Sequence, residues 1–516
     1  MSAEQFLTKF DLAKFTWKQS TTDGPGCWER PLAGSELTQE VWNRFEKGNQ
    51  TLFLAVHLDF AGAQSEAAVR EAARGSWIFL RHQIPIIATT IEIDENDVPL
   101  LKYRVPNDHQ LGDWATRTLL VHPEASLDLN KLREKLGDQK IPSPAGDQTW
   151  MHLVLPSSAK AAGHIGFIFH SHHSVTDGNG AKIIVNTFLA EFGKQLGRTA
   201  DVVGLAWGEE VERLTPAILN ILGPAEPVPI PPSSNEQPTF AHPVYSTMGA
   251  EMQNIGESMQ NQYGFKTREA DKEWPKAGRV ELVFSKDESK ELLAYMSGQP
   301  YTLTVLAHAA LAMVVMFFNP ASPEAIKHTM NNFCMVDVRH RLKEPFSSRH
   351  GYPGYALAPP MLRLPVSLFL SSEGAPLPLD RTVLLSAMDH IRARYGDHRE
   401  MAIAYIAPAA EMFVHAMKQG YAANHVSANQ CYMLSNDGQG EKILDLTFRD
   451  DNGQAVFNLS RFFTSINHPH PAPYFRLSSW QGVIDIGADF NENLISAEEV
   501  KAYLAKWKEF MYCIMK

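Results

Sequence analysis

The stretch Gly163-His-Ile-Gly-Phe-Ile-Phe-His-Ser-His-His-Ser-Val-Thr-Asp-Gly178 begins with a strand pattern and ends with the pattern of a polar turn. Side chains alternate between two faces over residues 165–170, which is the period of a β-strand. Apolar residues then recur at helical spacing over residues 181–192, which indicates an amphipathic helix. The sequence therefore predicts a strand, a turn and a helix, with His173 and Asp177 held in the turn.

The turn has the residues that fix a side chain in place. Gly178 and Gly180 permit sharp backbone conformations and close approach of neighbouring segments. Asp177 is expected to accept hydrogen bonds from nearby backbone N–H groups, as turn aspartates do. Histidine changes charge near neutral pH and is the most frequent general base in enzymes. We therefore expect His173 to be an oriented base.

Composition excludes several classes of protein. The chain has 516 residues, of which 44% are hydrophobic and 20% charged, so it is long enough for about two to four folded domains. A net charge of −11 argues against a nucleic-acid surface. The four cysteines are far apart, which favours neither a disulfide framework nor a zinc site. Residues 1–17 lack a signal-peptide pattern, and the apolar run at 305–318 is shorter than the roughly 18 residues of a membrane span, so we expect a cytoplasmic protein without membrane insertion.

A proline-rich stretch divides the chain. This stretch begins at Gly223 and predicts a linker over residues 223–275. The linker would separate an N-terminal half, residues 1–222, from a C-terminal half, residues 276–516. In the C-terminal half, alternating patterns predict strands at 279–284, 327–338 and 483–490. A buried helix is predicted at 303–318, and capping-box patterns predict helices that follow Ser285 and Ser496. Mixed strands and helices in both halves predict the α/β class.

Several chemical interpretations of the turn compete. The histidines at 170, 172 and 173 could be ordinary hydrogen-bonded side chains near a strand end. They could also ligate a metal, because His170 and His172 share one strand face and Asp177 could add an oxygen ligand. A His-Glu-x-x-His zinc motif is absent from the sequence. The interpretation that fits best has one histidine act as base for an alcohol that attacks an activated acyl group.

Two further interpretations lack their sequence signatures. A serine nucleophile would be expected in a Gly-x-Ser-x-Gly elbow, which the sequence does not contain. Dinucleotide binding at Asp177-Gly-Asn-Gly180 would require a third glycine, but Ile183 occupies that position.

Two motifs carry a family resemblance. His172-His173-Ser-Val-Thr-Asp177-Gly178 resembles the His-His-x-x-x-Asp-Gly signature of the superfamily of chloramphenicol acetyltransferase, non-ribosomal peptide condensation domains and plant BAHD acyltransferases. Val336-Asp337-Val338-Arg339-His-Arg341 is similar to the second-domain segment in which an arginine pairs with the motif aspartate. The resemblance implies two related domains with mixed sheets, flanking helices and an active-site tunnel between them. It also implies His173 as base, Asp177 as a structural residue and Arg339 as its partner.

The chain also resembles the fungal trichothecene 15-O-acetyltransferases within that superfamily. This resemblance implies acetyl-CoA as co-substrate, a trichothecene alcohol as acceptor, transfer in a ternary complex, no metal and a monomeric protein. The Asp-Phe-Gly-Trp-Gly motif of plant members is absent, and residues 435–440 and 479–482 are predicted loops. No residue is therefore assigned to the coenzyme pocket or to an oxyanion donor. A thioesterase-like hydrolase and a non-catalytic small-molecule binder remain alternatives on the same fold.

Overall fold

The computed structural model describes residues 12–46, 48–124, 127–156, 163–196, 204–223, 256–257, 260–266, 268, 275–406, 408–422 and 431–516. Residues 1–11 and most of the predicted linker at 223–275 lie outside this set. None of the helices in the described ranges is long and apolar enough to cross a membrane.

The described chain contains both helices and strands on each side of the proline-rich stretch. The α-helices are α1 Ser35–Phe45, α2 Glu66–Gln83, α3 Asp108–Thr118, α4 Leu129–Gly137, α5 Gly178–Gln195, α6 Lys286–Ser297, α7 Leu303–Phe318, α8 Arg381–Ile406, α9 Pro408–Ala422 and α10 Ala497–Tyr512. The strands are β1 Lys18–Gln19, β2 Cys27–Pro31, β3 Leu52–Phe60, β4 Thr90–Ile93, β5 Pro99–Arg104, β6 Leu119–Glu124, β7 Thr149–Pro156, β8 His164–Ser171, β9 Ala277–Val283, β10 Thr329–Phe333, β11 Val336–Asp337, β12 Leu357–Ala358, β13 Met361–Pro365, β14 Met433–Gln439, β15 Thr447–Arg449, β16 Ala455–Ile466, β17 Tyr474–Trp480 and β18 Val483–Asn491.

The structure contains two mixed sheets. A six-stranded sheet has the order β15-β16-β3-β8-β7-β6, and a four-stranded sheet has the order β14-β17-β18-β9. Most neighbours are antiparallel, but β6 pairs with β7 and β14 pairs with β17 in parallel. The predicted α/β class is confirmed. Strands β15 and β16 follow the proline-rich stretch in sequence, yet they extend the sheet that contains β3 and β8.

Strand β8 is central in the six-stranded sheet and leads directly to the turn. It pairs with β3 on one side and β7 on the other, so its backbone groups are bonded along both edges. The apolar stripe of α5 packs beside it: Phe167 makes edge-to-face contacts with Phe188 and Phe192, with ring centroids 5.1 and 5.3 Å apart. The strand end and the helix start are therefore fixed by the same buried core, and the turn between them has little freedom.

The predicted strands at 279–284 and 483–490, the helix at 303–318 and both capping boxes are present. The single strand predicted over 327–338 is wrong. It is interrupted at Cys334, whose N–H bonds to the Pro360 carbonyl, and it changes partner from β13 to β12.

The loops predicted at 435–440 and 479–482 also need correction. The first is mainly strand β14, which pairs in parallel with β17 and has a register shift around Asp437. The second begins with Ser479 and Trp480, the last residues of β17. Glycine and short polar residues in β14 suggested a loop, but pairing to a buried neighbour overrides that weak local preference.

Candidate active site

Backbone hydrogen bonds hold the turn after β8 from both sides. His172 N–H donates to the Gln148 carbonyl at 2.8 Å, and Val175 N–H donates to the His172 carbonyl at 3.1 Å. The Ser174 hydroxyl donates to the carbonyl of Glu36 in α1 at 2.7 Å. The turn is therefore fixed to α1 as well as to the sheet, and the position of His173 follows from these bonds.

The hydrogen bond of His173 defines its tautomer. Its Nδ1 lies 2.7 Å from the Thr176 carbonyl oxygen, which can only accept, so Nδ1 carries the proton. Nε2 then has an unprotonated lone pair. Burial lowers the pKa of His173 below 6.5, although the bond to Thr176 and the charge of Asp177 oppose this effect. His173 is therefore a neutral imidazole at pH 7, with one nitrogen available to take a proton.

Asp177 is the N-cap residue of α5. Its carboxylate accepts from the N–H groups of Asn179 at 3.0 Å and Gly180 at 2.8 Å. It also accepts from Ala356 N–H at 2.7 Å and from both terminal nitrogens of Arg339 at 2.8 and 3.0 Å. The side chain is fully buried. This set of donors makes Asp177 an anchor for the turn, whereas the His173 ring is oriented by Thr176.

The structure brings Arg339 to Asp177, across 162 residues of sequence. Arg339 also donates to the carbonyls of Tyr352 at 3.0 Å and Gly354 at 2.7 Å, and to Asp337 at 3.3 Å. Opposite charges on Asp177 and Asp337 raise its pKa above the usual value, against the effect of burial. The guanidinium thus has acceptors on several sides, as a buried charge requires.

The segment at residues 352–356 also contacts the turn, although no sequence motif predicted it. Its Pro353 carbonyl accepts from the Thr176 hydroxyl at 2.6 Å. A Cβ at Gly180 would lie well inside van der Waals contact with that carbonyl and with Thr176 Oγ1, so close approach accounts for this glycine. Gly178 is different, because a Cβ there would only touch Asp437 at 3.5 Å. The bonds of this segment to the turn use backbone groups, which every residue type provides, so its residue types did not reveal them.

A second polar cluster joins the start of α5 to β14. Asn179 donates to Asp337 at 2.6 Å, and the buried Lys182 donates to the Asn179 side chain at 3.1 Å and to the Asp437 carbonyl. Arg476 in β17 holds the Asp437 carboxylate at 3.2 Å. The bulged residue of β14 is therefore an ion-pair partner, which the loop prediction missed.

A cavity opens at the imidazole and is lined from both sides of the proline-rich stretch. Residues before it include Gln39, His173 and Asn179, and residues after it include Tyr355, Asp437 and Arg476. A base with a free nitrogen thus borders a space enclosed by polar and aromatic side chains. This arrangement suits a proton transfer from a bound small molecule.

The histidines do not converge as metal ligands. His170 stacks on Phe53 at a centroid distance of 4.5 Å, and both of its ring nitrogens lack a hydrogen-bond partner among the described residues. The Nδ1 of His172 accepts from Ser174 N–H at 3.1 Å. Burial lowers the pKa of both rings to about 3. Over the described ranges, no group of three His, Cys, Asp or Glu is placed to hold a metal ion.

Residues 9–347 match the family model described as 15-O-acetyltransferase Tri3. The chain belongs to this family. Two curated relatives agree with the match. Acetyltransferase pigO of Monascus ruber is 26% identical over 344 residues, which are 65% of this chain and 65% of that protein. Trichothecene 15-O-acetyltransferase TRI3 of Fusarium sporotrichioides is 21% identical over 529 residues and aligns with 97% of this chain and 96% of its own length.

Solved structures show the fold of this Tri3 family member. The TRI3 trichothecene 15-O-acetyltransferase from Fusarium sporotrichioides has a TM-score of 0.83 at 18% identity, covering 98% of this chain and 99% of that chain. The first condensation domain of the calcium-dependent antibiotic synthetase has a TM-score of 0.57 at 11% identity, covering 94% and 96%. The expected likeness to condensation domains is therefore confirmed for the mixed α/β fold.

Proposed function

We propose that the protein is an acetyl-CoA-dependent O-acetyltransferase that acetylates a hydroxyl of a trichothecene sesquiterpenoid, at C-15. The observation that carries the chemistry is the neutral His173, with Nδ1 bonded to Thr176 and Nε2 free at the cavity. Membership of the 15-O-acetyltransferase Tri3 family supports the acetyl group, the acceptor class and the position of transfer.

The reaction follows from a base without a covalent intermediate. His173 Nε2 takes the proton of the acceptor hydroxyl while its oxygen attacks the thioester carbonyl carbon. A C–O bond forms, and the carbonyl oxygen becomes an oxyanion. The intermediate then collapses, the C–S bond breaks, and the thiolate takes the proton back from Nε2. An ester and coenzyme A leave, and His173 returns to its initial state.

Both substrates must be present together in this scheme. None of the cysteines in the described ranges lines the cavity, and a thiol or serine nucleophile is not required by the steps. We therefore propose a ternary complex in a monomer, with the two halves of the chain forming the two sides of a tunnel. Asp177 and Arg339 hold the turn while His173 transfers the proton.

The test is acetyl transfer by His173→Ala. Coenzyme A release would be measured with acetyl-CoA and a panel of trichothecenes that carry a free C-15 hydroxyl, and the position of acetylation would be determined on the product. We expect transfer by the variant to fall at least about 100-fold, the lower range for a general base. His164→Ala is the matched control, because His164 lies at the start of β8, is exposed and pairs with Asp59. Near-normal turnover by His173→Ala would refute the base assignment.

The same assay separates the two alternative functions. A hydrolase would release coenzyme A at the same rate without an acceptor, and a binder would release none. Acceptor-dependent release by the wild-type protein is the result that supports the transferase.

A further inference from the structure

Tyr355 lies beside the imidazole and is not used by the steps above. Its ring makes an edge-to-face contact with the His173 ring, with centroids 5.3 Å apart and planes at 62°. The side chain is 2% exposed, and both rings border the same cavity. The Tyr355 ring is therefore in direct contact with the ring of the proposed base.

The backbone around Tyr355 is held by the turn itself. The preceding carbonyl, of Gly354, accepts from Arg339, and the following N–H, of Ala356, donates to Asp177. The ion pair that fixes the position of His173 therefore also fixes the position of Tyr355. Two side chains held by one ion pair keep a constant separation, as a pair of catalytic groups must.

The hydroxyl of Tyr355 has a defined direction. Gln39 Nε2 donates to its oxygen at 2.9 Å, so the oxygen already accepts a hydrogen bond. The hydroxyl proton has no acceptor among the described residues and is available to a ligand. Burial raises the pKa of Tyr355 further above its usual value, so the phenol keeps that proton at neutral pH. The amide of Asn179, another donor at the cavity, is committed to Asp337.

We propose that Tyr355 is a catalytic residue whose hydroxyl, oriented by Gln39, donates a hydrogen bond to the thioester carbonyl oxygen as that oxygen becomes an oxyanion. This inference rests on the proposed acetyl transfer and supplies the donor that its intermediate requires. The proton stays on Tyr355 throughout, so the proton balance of the reaction is unchanged. A donor of this kind acts mainly in the transition state, where the charge on oxygen is largest.

The test compares Tyr355→Phe with Tyr432→Phe. Tyr432 is equally buried, and its hydroxyl donates to the His308 carbonyl at 3.0 Å, away from the cavity. We expect Tyr355→Phe to lower kcat about 10²- to 10³-fold, the usual effect of removing one oxyanion donor, with little change in KM for acetyl-CoA. Tyr432→Phe should keep its kcat. Circular dichroism and the thermal midpoint show whether each variant is folded.

A second variant keeps the inference testable if Tyr355→Phe fails to fold. Gln39→Leu leaves the phenol in place but removes the bond that orients it, and we expect kcat to fall roughly fivefold, the equivalent of one ordinary hydrogen bond. A wild-type kcat in a folded Tyr355→Phe, or in Gln39→Leu where that is the variant that folds, overturns the role of Tyr355 and leaves the acetyltransferase in place. Absence of transfer by the wild-type protein overturns both.

Discussion

His173 shows how one hydrogen bond determines which ring nitrogen stays unprotonated. The carbonyl of Thr176 requires a proton on Nδ1, so the lone pair on Nε2 remains unprotonated. The neighbouring His172 has its Nδ1 occupied by Ser174 N–H, so the two adjacent histidines have different environments. The motif resemblance predicted His173 as the base, but only the turn geometry shows which of its nitrogens is free.

The burial of His173 leads to a prediction about pH. A general base must be unprotonated, and burial lowers the pKa of this ring below 6.5. We therefore expect kcat/KM for the acceptor alcohol to be constant from pH 8 down to about 6.5 and to fall only below that value. Initial rates at saturating acetyl-CoA across a pH series would measure the inflection. An inflection above pH 7 that is found in several different buffers would contradict the lowered pKa of His173.

Arg339 is the residue whose loss should most affect the turn. Its removal would leave the fully buried Asp177 carboxylate without its ion-pair partner. Breaking a buried pair from one side costs about 3–5 kcal/mol, so we expect Arg339→Ala to lower the free energy of unfolding by that amount and to reduce soluble yield. Chemical denaturation would measure it.

Arg341 provides the control for that measurement. It lies two residues further along, is partly exposed and donates to the Arg399 carbonyl, so Arg341→Ala should cost about 1 kcal/mol, the usual contribution of one hydrogen bond. A fully stable and active Arg339→Ala would reject a structural role for the pair with Asp177.

At the scale of elements, α5 starts where three parts of the chain meet. Asp177 caps its first turn, Thr176 bonds to the 352–356 segment, and Lys182 reaches β14. The free N–H groups at a helix start usually bond to a local side chain or to water. Here the capping carboxylate also accepts from a distant arginine, so the helix start and the distant segment are ordered together.

Gly180 makes this contact testable. Alanine there would place a Cβ against the Pro353 carbonyl, which is backbone and cannot rotate away. We expect Gly180→Ala to lower the free energy of unfolding by about 1–3 kcal/mol, as overpacking does, despite the higher helix propensity of alanine. Gly178→Ala is the comparison for stability, because its Cβ would make only ordinary contact. Equal thermal midpoints for both variants would contradict the close packing of the 352–356 segment on α5.

The elements that could be predicted are those with a local signal. Alternation gave β8 and β18, and capping boxes gave the starts of α6 and α10, since each pattern lies within one short stretch. The 352–356 segment and the pairing of β14 had no such signal, because backbone groups and distant neighbours determine them. Arg339 was placed correctly only through a motif that links two distant stretches. Tyr355 and Gln39 were not predicted as site residues, because both are far from the turn in sequence and neither belongs to a recognisable motif.

At the scale of the whole molecule, contacts outside the candidate site also join the parts of the chain before and after the proline-rich stretch. Strand β16 pairs with β3 along nearly its full length, and Asn467, just after it, donates to the Gly137 carbonyl at 2.7 Å. The division at residues 222 and 276 remains a prediction about the chain's two halves. Because backbone pairing joins segments from both sides of it, we expect a cooperative unfolding transition to involve both.

Buried neutral histidines make the stability of the whole protein depend on pH. Burial lowers the pKa of His170, His172, His308 and His468 to about 3, whereas an unfolded histidine titrates near 6.5. Between these values the unfolded chain binds more protons, so stability decreases as pH falls, by about 1.4 kcal/mol per pH unit for each ring. Glu40 opposes this change, because burial raises its pKa to about 7 and lowering the pH relieves its charge. The four rings outweigh one carboxyl, so we expect the thermal midpoint to fall by roughly 3 °C between pH 7.0 and 5.5. Scanning calorimetry would measure it, and a midpoint that is constant over this interval would mean that these rings are not kept neutral by the fold.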